Sequence, residues 1–105
     1  MSEDTSTFFW KVAESYLAKK NITKSTMMGF PCLRVNGDFF ASCDREKGNL
    51  IVKLPKDRVQ QLISSGVGQD FAPNGRKFKE WMAVELREEK LWNNLIDEAL
   101  VFVQT

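Results

Sequence analysis

The chain has 105 residues, of which 43% are hydrophobic and 28% charged, and its formal net charge is +1. These values are typical of one soluble domain over residues 1–105, and they give no strong attraction to nucleic acid or anionic lipid. The absence of histidine excludes Ser-His-Asp and Cys-His catalysis and His-containing zinc sites. Two cysteines are also too few for a four-cysteine site, so we expect no enzymatic activity and no cofactor.

The sequence carries no recognisable targeting signal. No apolar run approaches the roughly 18 residues that cross a bilayer, and the first residues, MSEDTST, are acidic and polar, unlike a secretory signal. We therefore expect a cytoplasmic protein without a membrane partner.

The first predicted element is an amphipathic helix over residues 6–20. Its apolar residues recur at helical spacing, with lysines and a glutamate on the opposite side. Thr5 or Ser6 is the expected N-cap, because Ser and Thr side chains accept hydrogen bonds from first-turn amides.

Residues 26–54 are predicted to form three consecutive antiparallel strands. The first begins near residue 26 or 27 and ends at Val35, and Pro31 within it indicates an edge or a bulge. Asn36-Gly37 is a strong hairpin signal, because a type I′ turn needs positive φ at both central residues. A looser turn is expected over residues 46–49, before an apolar third strand over residues 50–54 that we expect to be central.

The two-residue turn implies a register in which Val35 faces Asp38, Leu33 faces Phe40 and Cys32 faces Ala41. One face of the sheet then carries Leu33, Val35 and Phe40, and the other carries Phe30, Cys32, Arg34, Phe39, Ala41 and Cys43. Because neither face is cleanly polar, either both faces are partly covered or a bulge shifts the register.

The two cysteines invite a disulfide or redox interpretation. In the register above, Cys32 and Cys43 share a face but lie diagonally, with α-carbons about 7–8 Å apart. A disulfide joins α-carbons about 4.4–6.8 Å apart, so we expect two buried thiols instead.

The second half of the chain is predicted to add two helices and two strands. A short helix begins at Pro55 and ends at Gly66, and its buried stripe is Val59, Leu62 and Ile63. A short extended piece over residues 70–72 and a turn over residues 73–75 precede a fifth strand over residues 80–86. A final helix covers about residues 88–103. The order α-β(3)-α-β(2)-α predicts a two-layer α+β domain, with helices packed on a five-stranded antiparallel sheet.

Several short motifs along the chain resemble the TfoX/Sxy N-terminal domain-like family and, more distantly, the MmcQ/YjbR-like proteins. The similarity spans about residues 24–104. The matching residues are Gly29-Phe30-Pro31, Leu33, Val35-Asn36-Gly37, Phe39-Phe40-Ala41, Val52-Lys53-Leu54-Pro55, Arg58-Val59, Gly66-Val67-Gly68, Gly75-Arg76 and Lys79-Glu80-Trp81. The resemblance implies the same element order and, through the YjbR-like proteins, a possible role in DNA binding. It supplies no catalytic residue.

The middle of the chain is basic and the end acidic. Residues 45–79 hold eight Lys/Arg and three Asp/Glu, whereas residues 80–105 hold two and six. Positive side chains next to a helix N-terminus suit an anion such as phosphate. The candidate anion or nucleic-acid site consists of Lys53, Lys56, Arg58, Arg76, Lys77, Lys79 and Trp81. The alternative is that these lysines and arginines form an ordinary solvated surface.

Aromatic and acidic residues leave further alternatives open. Trp81 could stack a base or, with Arg76, line a small-ligand site, although core packing is the more common role of tryptophan. Glu80 and Glu85 are expected on opposite strand faces, so they form no catalytic pair. We expect a small binding or regulatory domain whose partner is a nucleic acid, a protein or a small anion. It would be a monomer or a homodimer formed through an exposed strand edge.

Overall fold

The computed structural model describes residues 4–27, 30–44, 47–72 and 75–104, and these residues form three helices and six strands. All six strands belong to one antiparallel sheet in the order β1-β2-β3-β4-β6-β5. The elements are α1 (Thr5–Leu17), β1 (Ile22–Met27), β2 (Phe30–Val35), β3 (Asp38–Asp44), β4 (Asn49–Lys53), α2 (Lys56–Ser64), β5 (Gln69–Asp70), β6 (Trp81–Val84) and α3 (Glu89–Gln104). The predicted α+β class is confirmed, with six strands instead of five.

The additional strand is β1, which pairs with β2 along its whole length, from Ile22 opposite Val35 to Met27 opposite Phe30. The sequence prediction merged the end of this strand with β2. As an edge strand, β1 places Ile22 in the hydrophobic core but exposes Thr23 and Lys24. Its hydrophobic periodicity is therefore too weak to identify a strand.

Element ends differ from the predictions by a few residues. The N-cap of α1 is Asp4, not Thr5 or Ser6, and its carboxylate accepts a 2.8 Å hydrogen bond from the Thr7 amide. Helix α1 ends at Leu17, three residues early. Strand β6 ends at Val84, and Leu86 beyond it is 61% exposed. Of the predicted turn over residues 73–75, residues 73 and 74 lie outside the described residues.

The β2–β3 hairpin has the predicted turn, with φ of 53° at Asn36 and 89° at Gly37. Val35 lies opposite Asp38, as predicted, but the register shifts between Leu33 and Arg34. Leu33 therefore pairs with Ala41 and not with Phe40. Cys32 likewise pairs with Ser42 and not with Ala41. The bulge that the sequence offered as one of two alternatives is therefore present in β3.

The bulge changes which residues share a face of the sheet. Ala41 and Cys43, predicted to lie with Cys32, are instead in the hydrophobic core with Leu33 and Phe40. Cys32 lies on the opposite face, so the two thiols are separated by the sheet. Both cysteines are buried and neither forms a disulfide, which confirms the expectation of two buried thiols.

The three helices pack on one face of the sheet. Helix α1 contacts β1 and β3, α3 contacts β2, β3 and β4, and α2 contacts β6. Helices α1 and α3 meet through an edge-to-face contact of Phe8 with Trp92, whose ring centroids are 4.8 Å apart. The Trp92 indole donates a 2.8 Å hydrogen bond to the Leu86 carbonyl, which satisfies its buried N–H. Among the described residues, no helix is long and apolar enough to span a bilayer.

Tyr16 adds a polar connection between α1 and α3. Its hydroxyl oxygen lies 2.5 Å from a carboxylate oxygen of Asp97 and 2.6 Å from the side-chain oxygen of Asn93. Burial raises the pKa of Tyr16 well above its ordinary value, and the adjacent Asp97 carboxylate raises it further. The tyrosine therefore stays protonated and can donate its hydrogen bond across the physiological pH range.

The opposite face of the sheet, which we call the open face, is not covered by α1, α2 or α3. A row of small or aliphatic side chains crosses four strands at its centre, and all four are buried: Cys32, Ser42, Ile51 and Ala83. Nearer the β2–β3 turn lie larger, half-buried side chains: Arg34, Phe39, Lys53 and Trp81. This end of the open face combines aromatic rings with positive charges.

Gly68 is expected to be essential for the packing of α2 against β6. A Cβ atom at this position would overlap the Met82 sulfur and lie 2.6 Å from its Cγ, and Met82 is fully buried. We predict that Gly68→Ala lowers the free energy of unfolding by about 1–3 kcal/mol, the usual cost of overpacking a core. In a Met82→Ala background, where the space is free, the same change should cost much less in urea unfolding. An equal cost in both backgrounds would contradict the proposed overlap.

The thiols give a second prediction. Burial raises the pKa of Cys32, more than its hydrogen bond with Ser25 and the nearby Arg34 charge lower it, so little thiolate exists near neutral pH. We expect neither cysteine to react rapidly with Ellman's reagent in the native protein, and both to react in guanidinium chloride. Rapid native reaction, or fewer than two thiols after unfolding, would contradict this arrangement.

Candidate functional site

Three of the predicted basic residues line one groove beside helix α2. Lys56 belongs to the first turn of α2, and Lys77 and Lys79 belong to the segment that leads into β6. The groove has a volume of about 270 Å³ and includes one carboxylate, that of Asp57. We call this cavity the lysine groove.

Backbone hydrogen bonds bring the two sides of the lysine groove together. The Leu54 amide, just before α2, donates a 2.9 Å hydrogen bond to the Glu80 carbonyl, just before β6. The Phe78 amide donates to the Phe71 carbonyl at 3.0 Å, which folds the segment between β5 and β6 back on itself. The positions of Lys77 and Lys79 relative to α2 thus depend on backbone contacts.

The N-terminus of α2 adds to the positive potential of the lysine groove. The N-cap is Pro55, whose side chain makes no capping hydrogen bond. First-turn amides of a helix have no intrahelical acceptor, and the helix dipole is positive at this end. The positive end of the α2 dipole therefore lies at the same end of the helix as Lys56.

Two of the residues predicted for the site, Lys53 and Trp81, lie in the sheet. They are directly opposite each other on β4 and β6. Both line a cavity of about 590 Å³ at the end of the sheet, where the β2–β3 turn meets the last turn of α3. Phe39 and Phe102 also line this cavity, which we call the aromatic pocket.

Arg58 does not belong to either cavity. Its guanidinium binds the Glu98 carboxylate of α3 through two hydrogen bonds of 2.8 and 3.0 Å, and a third hydrogen bond of 2.7 Å reaches Gln61. The hydrogen bond to Glu98 raises the pKa of Arg58 further. Arg58 lines a separate, apolar cavity between α2 and α3 that also includes Val101 and Phe102.

Arg76 and Lys77 differ in their surroundings although they are adjacent in sequence. Arg76 is exposed and lines neither the lysine groove nor the aromatic pocket. Lys77 forms a 3.2 Å ion pair with Asp70, and both side chains are about half exposed. Exposed ion pairs contribute little energy, so the Lys77 ammonium can exchange Asp70 for another anion.

The structure adds Arg34 and Phe39 to the residues predicted from sequence. The Arg34 guanidinium lies over the Phe39 ring, with 4.2 Å between its central carbon and the ring centroid, a cation–π geometry. The Arg34 Nε atom is buried without a hydrogen-bond partner among the described residues. Asn36-Gly37 predicts the hairpin that pairs these residues, but the sequence does not show that Phe39 lines the same cavity as Trp81.

The other two tryptophans have structural roles. Trp92 is fully buried in the core. Trp10 packs against the core from α1, and the Lys24 ammonium lies 4.9 Å from its ring centroid. Of the three tryptophans, Trp81 is the one that lines the aromatic pocket.

Comparison of the chain with models of known protein families, with curated proteins and with solved structures finds no match. The resemblance to the TfoX/Sxy N-terminal domain-like family therefore stays a prediction. Among the described residues, no group of three or more metal-binding side chains forms a candidate metal site.

The Arg58–Glu98 pair provides a test of the packing of α2 against α3. Both side chains are 37% exposed, so solvent screens the interaction. We predict a coupling free energy of about 0.5–1 kcal/mol in a double-mutant cycle of Arg58→Ala and Glu98→Ala. The coupling should decrease as salt is added. A coupling of zero at low salt would show that the two helices do not hold this pair together in solution.

Proposed function

We propose that this chain is a small non-enzymatic module that binds single-stranded nucleic acid. The observation that carries the proposal is that three lysines from two separate segments, Lys56, Lys77 and Lys79, line one groove. Lysines attract the phosphate backbone, and nearby aromatic rings stack unpaired bases. The lysine groove and the aromatic pocket together offer both kinds of contact.

The charges of the lysine groove favour a polyanion over a neutral ligand. Lys56 and Lys79 are exposed and make no ion pair with any described residue, and Lys77 has only a weakly held partner. Exposed Arg76 adds a further positive charge next to Lys77. Asp57 places one negative charge in the groove. It lies in the first turn of α2, where a carboxylate interacts favourably with the helix dipole.

The position of Trp81 favours single strands over a duplex. Trp81 is half buried, so part of its ring is accessible, and its ring centroid lies 6.4 Å from that of Phe71. Stacking on such a ring needs a base that is not already stacked and paired within a helix.

We infer that the module works by binding alone. The chain has no histidine. Glu80 directly precedes β6 and Glu85 directly follows it. Five residues of extended chain span about 16 Å, which is too far for two carboxylates to act on one bond. A DNA-binding role would agree with the resemblance to YjbR-like proteins.

Any homodimer formed through a strand edge would use β1 more readily than β5. The six residues of β1 offer a longer unpaired edge than the two residues of β5. Both edges lie outside the lysine groove and the aromatic pocket, so self-association and nucleic-acid binding are separate proposals.

The proposed function is tested by fluorescence anisotropy with labelled oligo(dT) and oligo(rU) of about 12 nucleotides. Three phosphate contacts give a salt slope of about −2, so affinity should fall about 15-fold between about 50 and about 200 mM salt. Replacing Lys56, Lys77 and Lys79 together by Gln should abolish most of the binding and of its salt dependence. Duplex DNA of the same length should bind more weakly than the single strands.

The matched control replaces Lys19, Lys20 and Lys90 by Gln, which removes the same charge from exposed positions outside the two cavities. We expect this variant to keep most of the affinity. Flat binding curves for single- and double-stranded DNA at low salt would refute the proposed function. Equal losses in the two triple variants would refute the assignment of the site.

A further inference from the structure

The aromatic pocket has a composition that the phosphate contacts do not explain. Three rings line it: Phe39 on β3, Trp81 on β6 and Phe102 on α3. Asp38, Glu80 and Lys53 also line it, so the lining includes two acidic residues and one basic residue. A groove that served phosphates alone would gain nothing from two carboxylates, because like charges repel.

Among the described residues, the side chains of Asp38, Glu80 and Lys53 form no ion pair or hydrogen bond with another side chain. Ionised carboxylates are acceptors only, so a molecule that binds them must present N–H or O–H donors. Lys53 can in turn donate to an acceptor or to a phosphate.

Two of the three rings that line the pocket, Phe39 and Trp81, contact neighbouring side chains. Arg34 covers Phe39 at 4.2 Å, and Phe71 lies beside Trp81. A planar aromatic ligand therefore meets rings that are already in place, so little side-chain entropy is lost on binding. A nucleobase is planar and neutral, so its face can stack on an aromatic ring, and its edge carries N–H donors that a carboxylate can accept.

The four common bases differ in the donors on their Watson–Crick edges. Guanine presents two adjacent donors, N1–H and the N2 amino group, which one carboxylate can accept together. Adenine and cytosine present one amino group each, and thymine and uracil present one ring N–H. Two unpartnered carboxylates at the pocket therefore favour guanine.

The lysine groove and the aromatic pocket are adjacent through two short connections. Lys53 precedes Lys56 by three residues, which limits their α-carbons to about 10 Å apart. Lys79 directly precedes Glu80, and Glu80 accepts the hydrogen bond of the Leu54 amide. A single strand with its phosphates in the groove can thus place a neighbouring base in the pocket.

We propose that the aromatic pocket binds one unstacked guanine base of a single-stranded nucleic acid, with Asp38 and Glu80 selecting the base. This inference rests on the proposed function. The rings supply affinity for any base, and the carboxylates supply the preference for guanine.

The test uses oligo(dT) of about 12 nucleotides in which one central residue is replaced by guanine, adenine, cytosine or inosine. We expect the guanine oligonucleotide to bind about tenfold more tightly than the others, the effect of one good bidentate contact. Inosine keeps the ring N–H but lacks the 2-amino group, so it should lose most of this preference. Trp81→Ala should weaken binding to all the oligonucleotides about tenfold or more.

Asp38→Asn and Glu80→Gln, singly and together, address selection directly. Both side chains are exposed, so these changes should leave the fold intact. Removing negative charge strengthens the electrostatic attraction of every oligonucleotide equally. The informative quantity is therefore the ratio of the affinity for the guanine oligonucleotide to the affinity for oligo(dT). We expect the double variant to reduce this ratio to below about twofold. The matched control, Asp57→Asn in the lysine groove, should raise overall affinity and leave the ratio unchanged.

The outcomes separate the two proposals. If all the oligonucleotides bind alike and the binding depends on salt, the guanine pocket is refuted and the proposed function stands. If the guanine preference survives the double variant, Asp38 and Glu80 do not select the base. If none of the oligonucleotides binds at low salt, the proposed function itself fails and the guanine pocket fails with it.

Discussion

The bulge in β3 is the constraint on which the rest of the molecule depends. Between the Val35–Asp38 and Leu33–Ala41 pairs, β3 has one residue more than β2. Phe39 on one side of this point faces the open side of the sheet, whereas Phe40 is fully buried in the core. Side chains alternate between the two faces along a strand. Without the extra residue, Ala41 and Cys43 would therefore lie on the open face, and the core would lose these two side chains. The core and the aromatic pocket therefore depend on the same irregularity.

Because all three helices pack on one side, the sheet has a core face and the open face. The core face contributes to a single cluster with residues from α1, α2 and α3. The open face keeps small side chains at its centre and groups its larger aromatic and charged side chains near the β2–β3 turn. Antiparallel sheets commonly keep one side for solvent or ligands. Here the charged end of that side lies close to the start of α2.

Features that depend on nearby residues could be predicted from the sequence. The Asn36-Gly37 turn, the end of α2 near Gly66, and the three helices all follow from local spacing and turn chemistry. Strand β1 could not be predicted, because its stability comes from backbone pairing with β2 and not from an apolar stripe of its own. The sequence offered a bulge only as one of two alternatives, since its position reflects how Phe39 and Phe40 divide between the two faces of the sheet.

The same distinction applies to the candidate site. Lys53 and Trp81 lie opposite each other because β4 and β6 are neighbouring strands, a pairing that was not predicted from the sequence. Lys56, Lys77 and Lys79 do meet in one groove. Arg58 lies between them in sequence but turns towards Glu98, forty positions along the chain. No local pattern reveals such a partner, because charge alone does not indicate which way a side chain is directed.

The hydrogen bond from the Leu54 amide to the Glu80 carbonyl has a consequence for cooperativity. It joins the strand that carries Lys53 to the segment that carries Lys79, so one backbone contact connects the linings of the two cavities. When one ligand can occupy two connected sites, its binding at the first site raises its effective concentration at the second. Under the proposed function, a strand that bridges both cavities gains this advantage, whereas a nucleotide that reaches only one cavity does not. The domain is then expected to select its ligand by length as well as by chemistry.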